Sequence, residues 1–232
     1  MKTKAWIKKG LICLLLCMGI GYYLETAKKS ISVGTAASLQ PVSYIDTTER
    51  KLYLTFDTAM GDSYLPEILE VLHKYRAKAS FAVLGSWAEM YPDQAKMLDA
   101  SGQMIFCHSM EHPLYTAVSE EEIRRDADRA MTLLTDCFTE VHRCIRPPYG
   151  AWDERTTTIL WQEGLSSVLW SVDAGDWQEQ ATVQQITDTV LGQIKPGDIV
   201  LFQTDCPQTP QALAQILEVL KEMRFETAVL PF

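Results

Sequence analysis

Seven short apolar bursts follow one another from Arg50 onward: KLYLTFD, ASFAVLG, QMIFCHS, HRCIRPP, SSVLWSVD, DIVLFQT and FETAVLP. Each is rich in β-branched or aromatic residues, the composition of buried strands. Between the bursts the apolar positions change to helical spacing. Leu65, Ile68, Leu69 and Leu72 recur at i, i+3, i+4 and i+7, as do Leu213, Ile216, Leu217 and Leu220, so each segment carries one apolar stripe. Ser119 with Glu122 forms a capping box that opens a further helix, and Gly102 is placed to end the helix before it. Strands alternating with helices predict one parallel α/β domain, as a barrel or an open sheet. In both, reactive side chains collect at the carboxyl ends of the strands. The polar residues that follow the bursts are Asp57, His108, His112, Arg146, Asp173, Asp176, Gln203 and Asp205, and they all fall on one rim.

The first residues differ from the rest. Lys2, Lys4, Lys8 and Lys9 precede GLICLLLCMGIGYYL, an uncharged run from Gly10 to Leu24. Residues 1–27 thus read as a signal peptide or a short apolar anchor helix. The run is short of the roughly 20 residues that span a bilayer. An uncleaved membrane anchor is favoured over a secreted product, with the lysines inside and the remainder exported. Residues 28–48 are polar and small, without a stripe, and read as a linker; the domain occupies 49–232. Six of the 21 basic residues but one of the 30 acidic ones lie in residues 1–40, so the remainder carries 15 against 29, a net charge near −14. That excludes nucleic acid and anionic lipid as partners of the domain, and a monomer is expected. Cys107, Cys137, Cys144 and Cys206 match no zinc-ribbon spacing; export permits pairing among them, and buried free thiols fit equally.

The rim residues carry the chemistry. His108 and His112 are four apart in FCHSMEHP, but Pro113 turns His112 out of helical geometry. The pair therefore sits on a strand end and the loop beyond it. Two histidines facing carboxylates favour a metal site. Asp57 ends the first burst and is suited to be a general base or a ligand, or to cap a turn. RPPYG, from Arg146 to Gly150, is a stiff turn that can aim Arg146 at a carboxylate and offer a backbone N–H to an anion. WSVDAGDW, from Trp170 to Trp177, adds two carboxylates and an aromatic wall.

Together, FCHSMEHP, RPPYG and VDAGDW, with altered first and last motifs LTFDTAMGD and LFQ, resemble the polysaccharide deacetylase family, the NodB-homology domain of carbohydrate esterases. The resemblance covers about residues 50–232. It implies a distorted seven-stranded (β/α) barrel. It also implies metal-dependent removal of acetyl groups from an N-acetylated glycan such as peptidoglycan or another N-acetylglucosamine polymer. On this resemblance Asp57 is the general base, His108 and His112 are ligands of a divalent metal, zinc foremost, and Arg146 orients Asp57. Asp176 holds Arg146, the Tyr149 N–H binds the oxyanion, and Trp177 and Leu201 line the acetyl pocket.

Two positions depart from the family's motifs. Its second aspartate, a metal ligand, is Thr58 here, which leaves Asp62 as the foremost third ligand, with Asp205 and Cys206 behind it. Its general-acid histidine is Gln203, and an amide cannot supply a proton. Losing one acid–base group costs about 10²- to 10⁴-fold in rate. The leading expectation is a divergent, anchored deacetylase. The alternatives are a glycan-binding descendant without catalysis and an esterase acting on O-acetyl groups, whose leaving group needs an acid less.

Overall fold

The computed structural model describes residues 39–232 except Asp62. The expected apolar helix, its anchoring role, residues 28–38 of the linker and the third-ligand assignment of Asp62 lie outside the described residues. The folded unit runs from Leu39 to Phe232. Among the described residues no helix is long and apolar enough to cross a membrane.

Among the described residues eight strands follow in chain order: β1 Lys51–Thr58, β2 Ala79–Val83, β3 Met104–Cys107, β4 His142–Ile145, β5 Ser166–Ser167, β6 Val172–Asp173, β7 Ile199–Gln203 and β8 Glu226–Thr227. The helices between them are α1 Leu65–Tyr75, α2 Gly85–Met90, α3 Pro92–Ala100, α4 Glu120–Cys137, α5 Glu154–Gln162, α6 Val183–Leu191 and α7 Thr209–Glu222. Seven strands lie in the order β5-β4-β3-β2-β1-β7-β6, and β8 pairs with β1. Every pair is parallel.

The expected seven-stranded (β/α) barrel is the observed fold, with one redistribution. The burst SSVLWSVD makes two strands: β5 pairs with β4 and β6 with β7. One run thus supplies both end strands of the curled, open sheet. The last burst contributes only β8, which meets β1 at Lys51 and Leu52. The chain before β1 takes part as well. Val42 donates to the Ser167 carbonyl and accepts from Leu169 N–H, each at 2.8 Å, and Ile45 N–H reaches Gly197 O at 2.9 Å. Part of the polar segment assigned to the linker is therefore bonded to the edge of the sheet.

Strand alternation sorts the side chains into two cores. Leu52, Leu54, Phe56, Val200 and Phe202 pack outward with the helices. Tyr53, Ala82, Met104, Phe106, Cys144, Val168 and Ile199 pack together on the other face of the curled sheet. The helical stripes face the first core: Leu65, Ile68 and Leu72 of α1 and Leu213, Ile216, Leu217 and Leu220 of α7 are buried, each worth about 1.5–3 kcal/mol over exposure. Ser119 and Glu122 bond reciprocally as a capping box at the start of α4, and Gly102 takes φ +65 just past α3, the left-handed value that suits glycine. Among the described residues the four cysteines are free.

Candidate active site

The inward period continues to the carboxyl ends of the strands. It carries Asp57 above Thr55 on β1, His108 above Phe106 on β3, Arg146 above Cys144 on β4 and Gln203 above Leu201 on β7. Asp57 and Gln203 are direct register partners, as are Thr55 and Leu201. Thr58 pairs with Val83, whose carbonyl accepts from His108 N–H. The rim expected from the sequence is therefore assembled on adjacent strands.

Arg146 is the centre of the assembly. It is fully buried, and its guanidinium lies 5.6 Å from the Phe106 ring centroid and 5.4 Å from that of Trp170. Nη1 donates to Asp57 Oδ1 at 2.5 Å; Nη2 donates to Thr55 Oγ1 at 2.9 Å and to Leu169 O at 3.3 Å. One carboxylate oxygen of Asp57 is thus occupied, and the other, Oδ2, lies 3.6 Å from His108 Nε2. Gly150 supports the stack: it has φ +64, and a Cβ there would lie 2.5 Å from the Trp170 ring.

The two histidines face each other, with 3.1 Å between their Nε2 atoms. His108 Nδ1 lies 2.9 Å from the Arg146 carbonyl. A carbonyl only accepts, so Nδ1 carries the proton of the neutral ring and Nε2 presents its lone pair. Burial first, and then neighbouring His108, hold His112 down to about 4, so this ring is neutral near pH 7. Two rings converging through Nε2 fit two positions in the shell of one divalent cation. Thr58 adds a buried hydroxyl with no hydrogen-bond partner. A third donor is not seen: among the described residues no three His, Cys, Asp or Glu side chains form a metal-holding group.

The remaining predicted residues are distributed as follows. Tyr149 has φ +62, and its ring packs edge-on against His112 at 4.4 Å between centroids. No acceptor among the described residues takes its N–H. Trp177 is exposed and donates from Nε1 to Asp173 Oδ1 at 3.2 Å. Leu201 is buried in β7.

Asp176 lies at the end of β7, and its Oδ1, like Arg146 Nε, is buried without a hydrogen-bond partner. It makes no hydrogen bond to Arg146; its Oδ2 accepts from Gln203 N–H at 2.9 Å and from the Thr209 hydroxyl at 2.6 Å. β6 ends at Asp173 and the chain turns through Gly175 at φ +70, which takes Asp176 to the end of β7. Burial pushes its carboxyl up to about 7. Asp205 and Cys206 bond weakly to each other at 3.9 Å, not to the histidines. Burial pushes the Cys206 thiol up to about 12. Sequence reasoning missed Thr55, Trp170 and Asp126. For Thr55 and Trp170 the signal was available, since both lie on the inward period below the rim.

The sequence profile described as polysaccharide deacetylase matches residues 44–168. The chain belongs to the polysaccharide deacetylase family. A chitooligosaccharide deacetylase of Sinorhizobium fredii is 31% identical over 215 residues, 83% of this chain and 99% of the relative. A peptidoglycan-N-acetylglucosamine deacetylase of Bacillus cereus is 33% identical over 148 residues, 64% of this chain and 54% of the relative. Among solved structures, a pseudoenzyme of carbohydrate esterase family 4 from Bacillus anthracis superposes with TM-score 0.78 at 28% identity, covering 82% of this chain and 67% of that one. A mutant of the same pseudoenzyme with restored enzymatic activity gives TM-score 0.78 at 29% identity, with coverage of 82% and 69%. The relatives thus include proteins named as deacetylases and a pseudoenzyme of which one mutant has restored enzymatic activity.

Proposed function

We propose that this chain is a hydrolase that removes acetyl groups from an N-acetylated cell-wall polysaccharide, working slowly because its first and last motifs are altered. One observation carries the reading: a buried arginine holds one oxygen of Asp57 while the other faces a pair of imidazoles. A pure binding module has no use for a carboxylate fixed in that way.

His108 and His112 would hold a divalent cation, zinc foremost, with Asp62 as third donor, the nearest carboxylate to Thr58 in sequence after Asp57. That cation, when bound, supplies Lewis acidity and a more acidic water. The chain's own groups do the rest. Asp57 Oδ2 takes the proton of the attacking water while Arg146 keeps the carboxylate aimed. The Tyr149 N–H, fixed by RPPYG, donates to the oxygen of the acetyl carbonyl as it becomes an oxyanion. The C–N bond then breaks, and the amine takes its proton from Asp57 or from water. Gln203 orients the sugar amide by hydrogen bonding and cannot protonate it. Trp177 and Leu201 bound the acetyl group. The protein is read as an exported monomer, held at the membrane by residues 1–27.

A second reading has its own support. Gln203 stands in register opposite Asp57, where proton donation would be needed, and this favours a glycan-binding descendant. Acetate release from N-acetylglucosamine oligomers by the full chain separates the two. Slow release that disappears in Asp57→Asn supports the hydrolase. Release only in Thr58→Asp with Gln203→His supports the binding descendant. Release from O-acetylated substrate alone selects the esterase.

A further inference from the structure

We infer that Asp126, on helix α4, is a positioning residue for His112; this rests on the reading of His112 as a cation ligand. His112 is carried by a short loop with a costly backbone. Ser109 has φ +73 and His112 has φ +58, so two non-glycine residues sit in the left-handed region. A loop of this kind persists only where its surroundings over-determine it.

The surroundings meet that demand. Gly85 N–H donates to Ser109 O at 2.9 Å and Ser86 N–H to Met110 O at 3.0 Å. His112 N–H donates to Ser109 Oγ at 3.0 Å. Ser109 N–H donates to Cys107 Sγ at 3.3 Å, and the two amides that remain, Met110 and Glu111, both point at one carboxylate. Asp126 Oδ1 accepts from Met110 N–H at 3.1 Å and Oδ2 from Glu111 N–H at 3.0 Å. The Tyr115 hydroxyl donates to Oδ1 at 2.6 Å. Asp126 and Tyr115 are both buried. Three donors therefore bracket the loop before and after His112 and converge on a side chain that has acceptors only.

The support for that carboxylate is rigid. Ile123, Ala127, Ala130 and Leu134 of α4 are buried in the outer core. The capping box fixes the start of the same helix. The device thus carries the firmness of α4 to a ring whose Nε2 must stay 3.1 Å from that of His108. Second-layer groups of this type commonly change metal affinity by about 10- to 100-fold when removed.

Asp126→Asn in the full chain is the test, because the amide keeps the size and replaces one acceptor by a donor. Three readouts apply: zinc affinity by calorimetry, hydrogen exchange of the Met110 and Glu111 amides without metal, and the ring ¹⁵N resonances of His112. The expected result is zinc affinity lower by about 10- to 100-fold, faster exchange at both amides, displaced His112 resonances and unchanged exchange in α6. A folded variant with wild-type zinc affinity and wild-type His112 resonances would overturn the inference. If the wild-type chain takes up no zinc, the ligand reading of His112 falls, and the metal-free resonances still decide whether Asp126 places the ring. Should Asp126→Asn fail to fold, Tyr115→Phe removes one of the three donors; a several-fold loss of zinc affinity with displaced His112 resonances is expected, and no change in either would overturn the inference.

Discussion

Replacing Arg146 by methionine isolates the contact on which the site is built. Methionine can still pack between Phe106 and Trp170, so the volume changes little while the guanidinium and its bonds to Asp57, Thr55 and Leu169 are lost. Asp57 is then left buried without its cation. Breaking one side of a buried pair costs about 3–5 kcal/mol, a large share of the roughly 5–15 kcal/mol that holds a domain together. For a unit of this size each kcal/mol lowers Tm by about 2–4 °C, so a drop of about 6–20 °C is expected. Urea unfolding gives the free energy directly. Adding Asp57→Asn removes the stranded charge, and the double variant is expected to recover part of the loss, with a coupling of about 0.5–3 kcal/mol. An Arg146→Met variant within about 1 kcal/mol of wild type, or a double variant that is simply additive, would refute the pairing as the organising contact.

Further expectations follow from the same geometry. Asp176 has its folded value raised from 3.8 to about 7 by burial, so the folded state keeps a proton that the unfolded state has released. Its contribution to stability therefore falls as pH rises from about 4 to about 7 and is level above that; the Tm of Asp176→Asn, relative to wild type, should rise between pH 5 and pH 8, and a fall would contradict the burial argument. Ser119→Ala removes the cap of α4 and should cost about 0.5–2 kcal/mol in urea unfolding, with no loss meaning that the capping box is idle. Gly150→Ala puts a methyl group against Trp170 at a left-handed position; a destabilisation above about 1 kcal/mol is expected, and a neutral result would show that the ring moves freely.

The parts of this fold that were legible in the sequence share one cause. A strand buried on both faces must be a short apolar burst, and its last polar residue must lie on the rim. That reasoning placed Asp57, His108, Arg146 and Gln203 on the rim. Where the chain stops being regular, the rule fails. SSVLWSVD looks like one strand, but its halves pair with different neighbours. Asp176 lies beyond β6, after the turn at Gly175, and its partner depends on where that turn leads. Asp126 could not be told from Asp128 by composition, since both belong to one charged helix; burial alone separates them. The stretch before β1 gave little sign of its docking, because Val42 bonds to Ser167 and Leu169, and Ile45 to Gly197, through backbone groups that every sequence possesses, and only two isolated apolar side chains, Val42 and Ile45, pack beneath them.

The most direct test of the proposed site is a cobalt(II) titration of the full chain, followed by visible absorption. The account predicts a ligand-field band that saturates at one ion per chain and is lost in both His108→Ala and His112→Ala, while Asp57→Asn keeps the ion and abolishes acetate release. A folded chain that develops no band, or whose band survives replacement of both histidines, would contradict it.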